Sequence, residues 1–267
     1  MSEAALEALL RRDRVVVGAA LTALIVAAWL YLLHLASAMS DMAMPDMPTM
    51  PGMAMSALHA WSWVDVGALV VMWGVMMVAM MTPAAAPMIL MFSTIHRRRT
   101  AEGRPAVPTA IFVLGYLVVW TIYSVVAALA QAGLHAAALL SPAMAATSPL
   151  LAGGLLVAAG VFQWTPLKRA CLDACRSPLT FLMTGWREGR GGTFVMGLRH
   201  GLYCLGCCWA LMALLFVAGV MNLLWVAVIA VAVLVEKVVP RGDLVGRLAG
   251  VALVAAGVLL VARAVVG

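Results

Sequence analysis

Residues 109–132, TAIFVLGYLVVWTIYSVVAALAQA, carry no charged side chain. An α-helix rises about 1.5 Å per residue, so this segment is long enough to cross the roughly 30 Å of hydrocarbon in a bilayer. That reading makes the fold class all-α, a polytopic transmembrane bundle, and the rest of the chain follows it. Hydrophobic residues make up 65% of the 267, charged residues only 10%, and mean hydropathy is +1.06. Soluble domains carry about 25% charged residues, so a water-soluble fold is excluded on composition.

Working outward, six more apolar segments read as helices: Val15–Ala38, Val66–Thr94 with a break, Pro149–Phe162, Phe194–Ala218, Leu223–Val238 and Leu244–Val265. The expectation is about seven spans, the fourth and sixth being short. The net charge of +6 is not a nucleic-acid signal, because the basic residues collect in alternate gaps between the apolar segments. Arg11, Arg12 and Arg14 precede the first; Arg97, Arg98, Arg99 and Arg104 follow the second; Lys168, Arg169, Arg176, Arg187 and Arg190 follow the fourth; Lys237, Arg241 and Arg247 follow the sixth. Loops 39–62, 133–148 and 219–222 contain no Lys or Arg. The positive-inside rule then puts the N-terminus in the cytoplasm and the C-terminus outside. The organisation expected is a cytoplasmic stub and first helix over 1–38, an external loop over 39–62, and a bundle over 63–267. Ala36-Ser37-Ala38 resembles a signal-peptidase site, but the apolar run before it is longer than a usual signal core.

Inside this apolar frame lies His200-Gly-Leu-Tyr-Cys204-Leu-Gly-Cys207-Cys208. Lipid does not tolerate idle polar groups, so an intramembrane His beside thiols is a functional-site hypothesis. At 100° per residue His200, Cys204 and Cys207 share one helix face, with Cys208 at its margin. Thiolates and imidazole together form a site for Cu(I) or zinc, and soft sulfur favours Cu(I). Arg199 is deep for a charged residue, and either snorkels to the cytoplasmic surface or pairs with Glu236. Thr165-Pro166 opens a short helix that Ser177-Pro178 closes; within it Cys171 and Cys175 share a face on the cytoplasmic side, as a second metal dock or a redox pair.

The external loop holds Met39, Met42, Met44, Met47, Met50, Met53 and Met55, seven of the chain's 20 methionines in 17 residues. Pro45, Pro48 and Pro51 forbid a regular helix there, so ordinary burial does not explain the methionines. Thioether is a neutral soft ligand that selects Cu(I), and it needs no deprotonation. In the second span Met72, Met76 and Met80 are four apart, and Met77 and Met81 form a second such pair. They form a candidate metal path that ends at Pro83 and Pro87, which are expected to kink or break the helix.

Five motifs carry a family resemblance. They are Trp73 through Met76, Met80, Met81 and Pro83 to Pro87; Gln163 through Thr165-Pro166, Lys168, Cys171, Cys175 and Pro178; His200-Gly201 through Cys204, Cys207-Cys208-Trp209; Met221-Asn222 with Trp225; and Glu236-Lys237 with Pro240. In this order they resemble the bacterial integral-membrane family labelled domain of unknown function 2182, described as metal-binding. The resemblance covers about residues 65–240 and implies an inner-membrane, copper-related role without an established reaction.

The function expected is therefore copper(I) handling: acquisition, transfer or delivery to a periplasmic or membrane cuproprotein, with zinc as the second candidate ion. No Walker motif is present, so transport would be passive or ion-coupled, and binding or delivery is favoured over pumping and over enzymatic turnover. The rival reading is a membrane thiol-disulfide oxidoreductase using Cys204, Cys207 and Cys208. A haem site on His34, His59, His135 or His200 is disfavoured, since only His200 is expected to be deep.

Overall fold

A computed structural model describes residues 3–42, 62–141 and 145–266. Ten helices account for nearly all of these: α1 Glu3–Met42, α2 Trp63–Ala101, α3 Thr109–Ala136, α4 Pro149–Phe162, α5 Pro166–Arg176, α6 Pro178–Gly185, α7 Gly189–Ala213, α8 Leu215–Ala218, α9 Leu223–Val238 and α10 Gly242–Val266. Their starts follow local chemistry. Ser148, Thr165 and Asn222 each accept a backbone N–H at an N-cap, and Pro149 and Pro166 sit at the first helical position.

The expected seven spans are corrected here. Five helices are long and apolar enough to cross a membrane: α1, α2, α3, α7 with α8, and α10. A sixth is counted if α4 and α5, bent by 63° at their junction, act as one broken span. The reason is length: α4 and α9 have 14 and 16 residues, about 21 and 24 Å of rise against roughly 30 Å of hydrocarbon. The expected break in the second span is also corrected, because α2 continues through both Pro83 and Pro87. The carbonyls that lose a helical donor are those of Ala79 and Pro83; close by, the Tyr116 hydroxyl of α3 donates to the Met81 carbonyl at 3.1 Å.

Helix α7 is the centre of the bundle, packed against α3 on one side and α5 on another. The α3–α7 crossing is close because Gly201 lacks a side chain; a Cβ there would sit 2.9 Å from Val119. Helix α2 lies between α1 and α3, and the Trp73 indole, fully buried, donates to Gln131 of α3 at 2.7 Å. Helix α10 packs along α4. At one end of the bundle Arg97 pairs with Asp13, Arg14 donates to Thr94 at 3.0 Å, and Arg99 and Arg104 reach Glu188 at 3.1 and 3.3 Å. Arg14 of α1, Arg97 and Arg99 of α2 and the following Arg104 thus lie at one end of the bundle. Large apolar side chains point outward along the spans, among them Leu114, Ile122, Val126 and Leu129 of α3.

Candidate metal centre

The candidate centre is a group of sulfur atoms where α2, α5 and α7 meet. Cys204, Cys207 and Cys208 are each 1% exposed or less. Their helical spacing places the last two one turn beyond the first, and both thiols donate back to the Cys204 carbonyl, at 3.1 Å from Cys207 and 2.9 Å from Cys208. The Cys208 sulfur also lies 3.8 Å from the Met81 thioether of α2. From α5, the partly buried Cys175 thiol comes within interacting reach of Cys204 and Cys207. Cys171 sits apart, against Gly206, where a Cβ would meet its sulfur at 2.6 Å.

The sequence puts Cys171 and Cys175 on the cytoplasmic side as a second metal dock or a redox pair; in the structure α5 packs against α7, and Cys175 lies near Cys204 and Cys207. All five cysteines are free.

His200 lies one turn before Cys204, 2% exposed, in a box of aromatic rings: Tyr116 at 5.5 Å, Phe181 at 5.8 Å and Phe112 at 6.1 Å between centroids. Neither ring nitrogen has a hydrogen-bond partner. A buried polar group without a partner costs about 1–3 kcal/mol, so this imidazole asks for a ligand. Among the described residues, no group of three or more His, Cys, Asp and Glu side chains is already arranged as a metal centre. Two of the thiols point at a carbonyl, and a side-chain rotation is needed before several sulfurs face one ion.

The methionines of α2 face inward. Met72, Met76, Met77, Met80 and Met81 are all buried, and so is Met88. Lipid-facing filler is thereby excluded for this stripe. Of the loop methionines, Met42 ends α1, and Met44, Met47, Met50, Met53 and Met55 lie outside the described residues.

The Arg199–Glu236 pairing is corrected. Glu236 takes the buried Lys168 ammonium, 2.8 Å from both carboxylate oxygens, with Gln163 also accepting from that ammonium. Arg199 points the other way, toward Gly185 at the end of α6. In the sequence Lys237 counts as a cytoplasmic-side charge and as part of the Glu236-Lys237 motif, without a role at the centre. Its ammonium, in a buried residue, donates to the Cys204 sulfur at 2.8 Å, and the Tyr116 hydroxyl is 3.3 Å from the same atom. The available signal was an acidic and a basic residue adjacent at the end of an apolar helix.

The donor set, thiols with a thioether and an unpartnered imidazole, fits a soft monovalent ion better than a hard one. No curated protein and no solved structure matches the chain. A family model described as a copper chaperone (PpoB2) matches residues 70–260, a stretch that contains every sulfur and nitrogen donor of this centre, and the chain belongs to that copper chaperone family.

Proposed function

We propose that the protein is a multi-pass protein of the bacterial cytoplasmic membrane that binds copper(I) within the bilayer and hands it on. The observation that carries this reading is the collection of the Cys175, Cys204, Cys207 and Cys208 thiols beside Met81 in a buried core, with an unpartnered His200 one turn away. Thiolate and thioether select Cu(I) over harder ions, and the cation offsets the cost of burying thiolate charge. The outward apolar side chains of α3 suit contact with lipid.

In this scheme the loop over 39–62 is external and gathers copper on its methionines. The α2 stripe from Met72 to Met81 leads from there to the thiols, which load a partner cuproprotein or release the ion on the cytoplasmic side. Met196 continues the series Met196, His200, Cys204, Cys208 at four-residue intervals, all buried, along α7.

The test is metal content. Full-length protein purified anaerobically from membranes is expected to carry close to one copper per chain, and Cys204→Ser with Cys207→Ser is expected to lose it while keeping the helical fold. Full copper retention in the double variant overturns the reading. A metal-free wild type with a disulfide that a quinone analogue restores after reduction moves the assignment to a thiol oxidoreductase.

A further inference from the structure

Three ionised side chains crowd the inner end of α9. Lys168 and Glu236 neutralise each other, with both carboxylate oxygens and Gln163 engaged on the one ammonium. Lys237 is left over, a buried residue with no carboxylate beside it among the hydrogen bonds and ion pairs of the described residues; the partner of its Nζ is Cys204 Sγ at 2.8 Å. A cation in a dry core must be matched by an anion close by, because an unmatched buried charge is strongly unfavourable. The acceptor that the geometry offers this ammonium is the Cys204 sulfur.

We propose that Lys237 is the fixed counter-cation of the metal–thiolate centre and sets the charge of the ion that the centre accepts. The argument rests on the copper-binding reading above and adds to it a determinant of selectivity. One Cu(I) held by two thiolates carries a single negative charge. The Lys237 ammonium cancels that charge in place, at hydrogen-bond distance from one of the two sulfurs. A divalent ion on the same two thiolates is already neutral, and the ammonium then finds no compensating charge at the centre. The discrimination is electrostatic and comes in addition to the softness of sulfur, and it acts without Lys237 touching the ion. Lys237 is therefore a positioning and specificity residue, not a ligand.

The role predicts a change in a ratio, which a purely structural lysine would not give. Cu(I) and Zn(II) affinities are measured by chelator competition on anaerobically purified full-length protein, for the wild type, Lys237→Met and Lys237→Arg. Lys237→Met is expected to weaken Cu(I) binding and strengthen Zn(II) binding, lowering the ratio of the two affinities by about tenfold or more. Lys237→Arg keeps the charge and is expected to restore most of the ratio. An unchanged ratio in Lys237→Met, or an equal loss in Lys237→Arg, overturns the proposal. Should Lys237→Met fail to fold, Lys237→Gln replaces it under the same criteria, and should that fail too, Ag(I) and Cd(II) competition on the wild type decides: no preference for the monovalent soft ion over the divalent one overturns it. A wild type that binds no Cu(I) at all defeats the copper reading itself, whereas a wild type that binds Cu(I) with a ratio indifferent to residue 237 defeats this inference alone.

Discussion

The Cys208 thiol faces the Met81 thioether, with the two sulfurs 3.8 Å apart. This contact joins the two sulfur-bearing features of the chain, the methionine stripe of α2 and the cysteine group of α7, into one continuous buried track. Residues 72 to 81 span about 13 Å of helix rise, roughly two and a half turns that end at the thiols. Neither Met81 nor Cys208 is exposed above 1%.

Met81→Leu isolates the thioether. The two side chains are similar in volume, and such swaps cost less than about 1.5 kcal/mol in a core. The variant is expected to fold with a melting temperature close to wild type. Its Cu(I) affinity, read by competition with a chromogenic chelator, is expected to fall about tenfold, which corresponds to roughly 1.4 kcal/mol. Wild-type affinity in Met81→Leu would remove the thioether from the centre and leave the thiols alone.

His200 separates stability from binding. Its nitrogens lack partners and its ring is boxed by Phe112, Tyr116 and Phe181. His200→Phe replaces two unsatisfied polar atoms by apolar ones of similar shape, a change that removes a penalty of about 1–3 kcal/mol. The metal-free variant is expected to unfold at a higher temperature than wild type, and its copper retention during dialysis is expected to drop. Higher stability with unaltered copper content would reduce His200 to a packing residue.

How far the sequence could be read depended on whether the determining interaction was local. The ends of α4, α5 and α9 were legible because Ser148, Thr165 and Asn222 cap their own helices and Pro149 and Pro166 follow directly. The inward face of α2 was legible as spacing. The number of spans was not: Thr165-Pro166 marks the junction of α4 and α5, but the 63° angle between them, which decides whether they count as one span, cannot be read from those residues. Continuity of α2 through Pro83 and Pro87 was not legible either, because a proline inside a helical pattern ordinarily signals a kink or a stop. Lys237 reads in the sequence as a loop charge, because a lysine near the end of an apolar helix ordinarily snorkels to the surface; only its distance to Cys204 shows that it turns inward. Glu236 was matched with the wrong cation because α7 turns Arg199 toward α6 while α5 brings Lys168 alongside.

The Lys168–Glu236 pair holds α5, and with it Cys175, against α9. Both side chains are about 4% exposed or less, so removing one partner strands a buried charge at a cost of about 3–5 kcal/mol. Lys168→Met is expected to lower the melting temperature of the detergent-solubilised protein sharply. The double variant Lys168→Met, Glu236→Leu removes both charges and is expected to recover most of that loss. If the single variant melts like the wild type, the pair does not hold α5 in place.

Gly206 tests which cysteine of α5 belongs to the centre. A Cβ at this position would lie 2.6 Å from the Cys171 sulfur but 3.5 Å from its Cβ. Gly206→Ala therefore makes the Cys171 sulfur give way, by rotating or by carrying α5 away from α7, an overpacking that costs about 1–3 kcal/mol. Because Cys175 rides on the same helix, copper affinity is expected to fall together with stability. Cys171→Ala in the Gly206→Ala background removes the clashing sulfur, and both quantities are expected to return toward wild type, a coupling that a double-mutant cycle measures directly. The single variants complete the argument: Cys175→Ala is expected to lose copper affinity and Cys171→Ala to keep most of it, since the first thiol reaches both Cys204 and Cys207 while the second packs over Gly206 and comes near Cys207 alone. Copper loss in Cys171→Ala, with Cys175→Ala unaffected, would reverse the assignment and require α5 to turn about its axis when the ion binds.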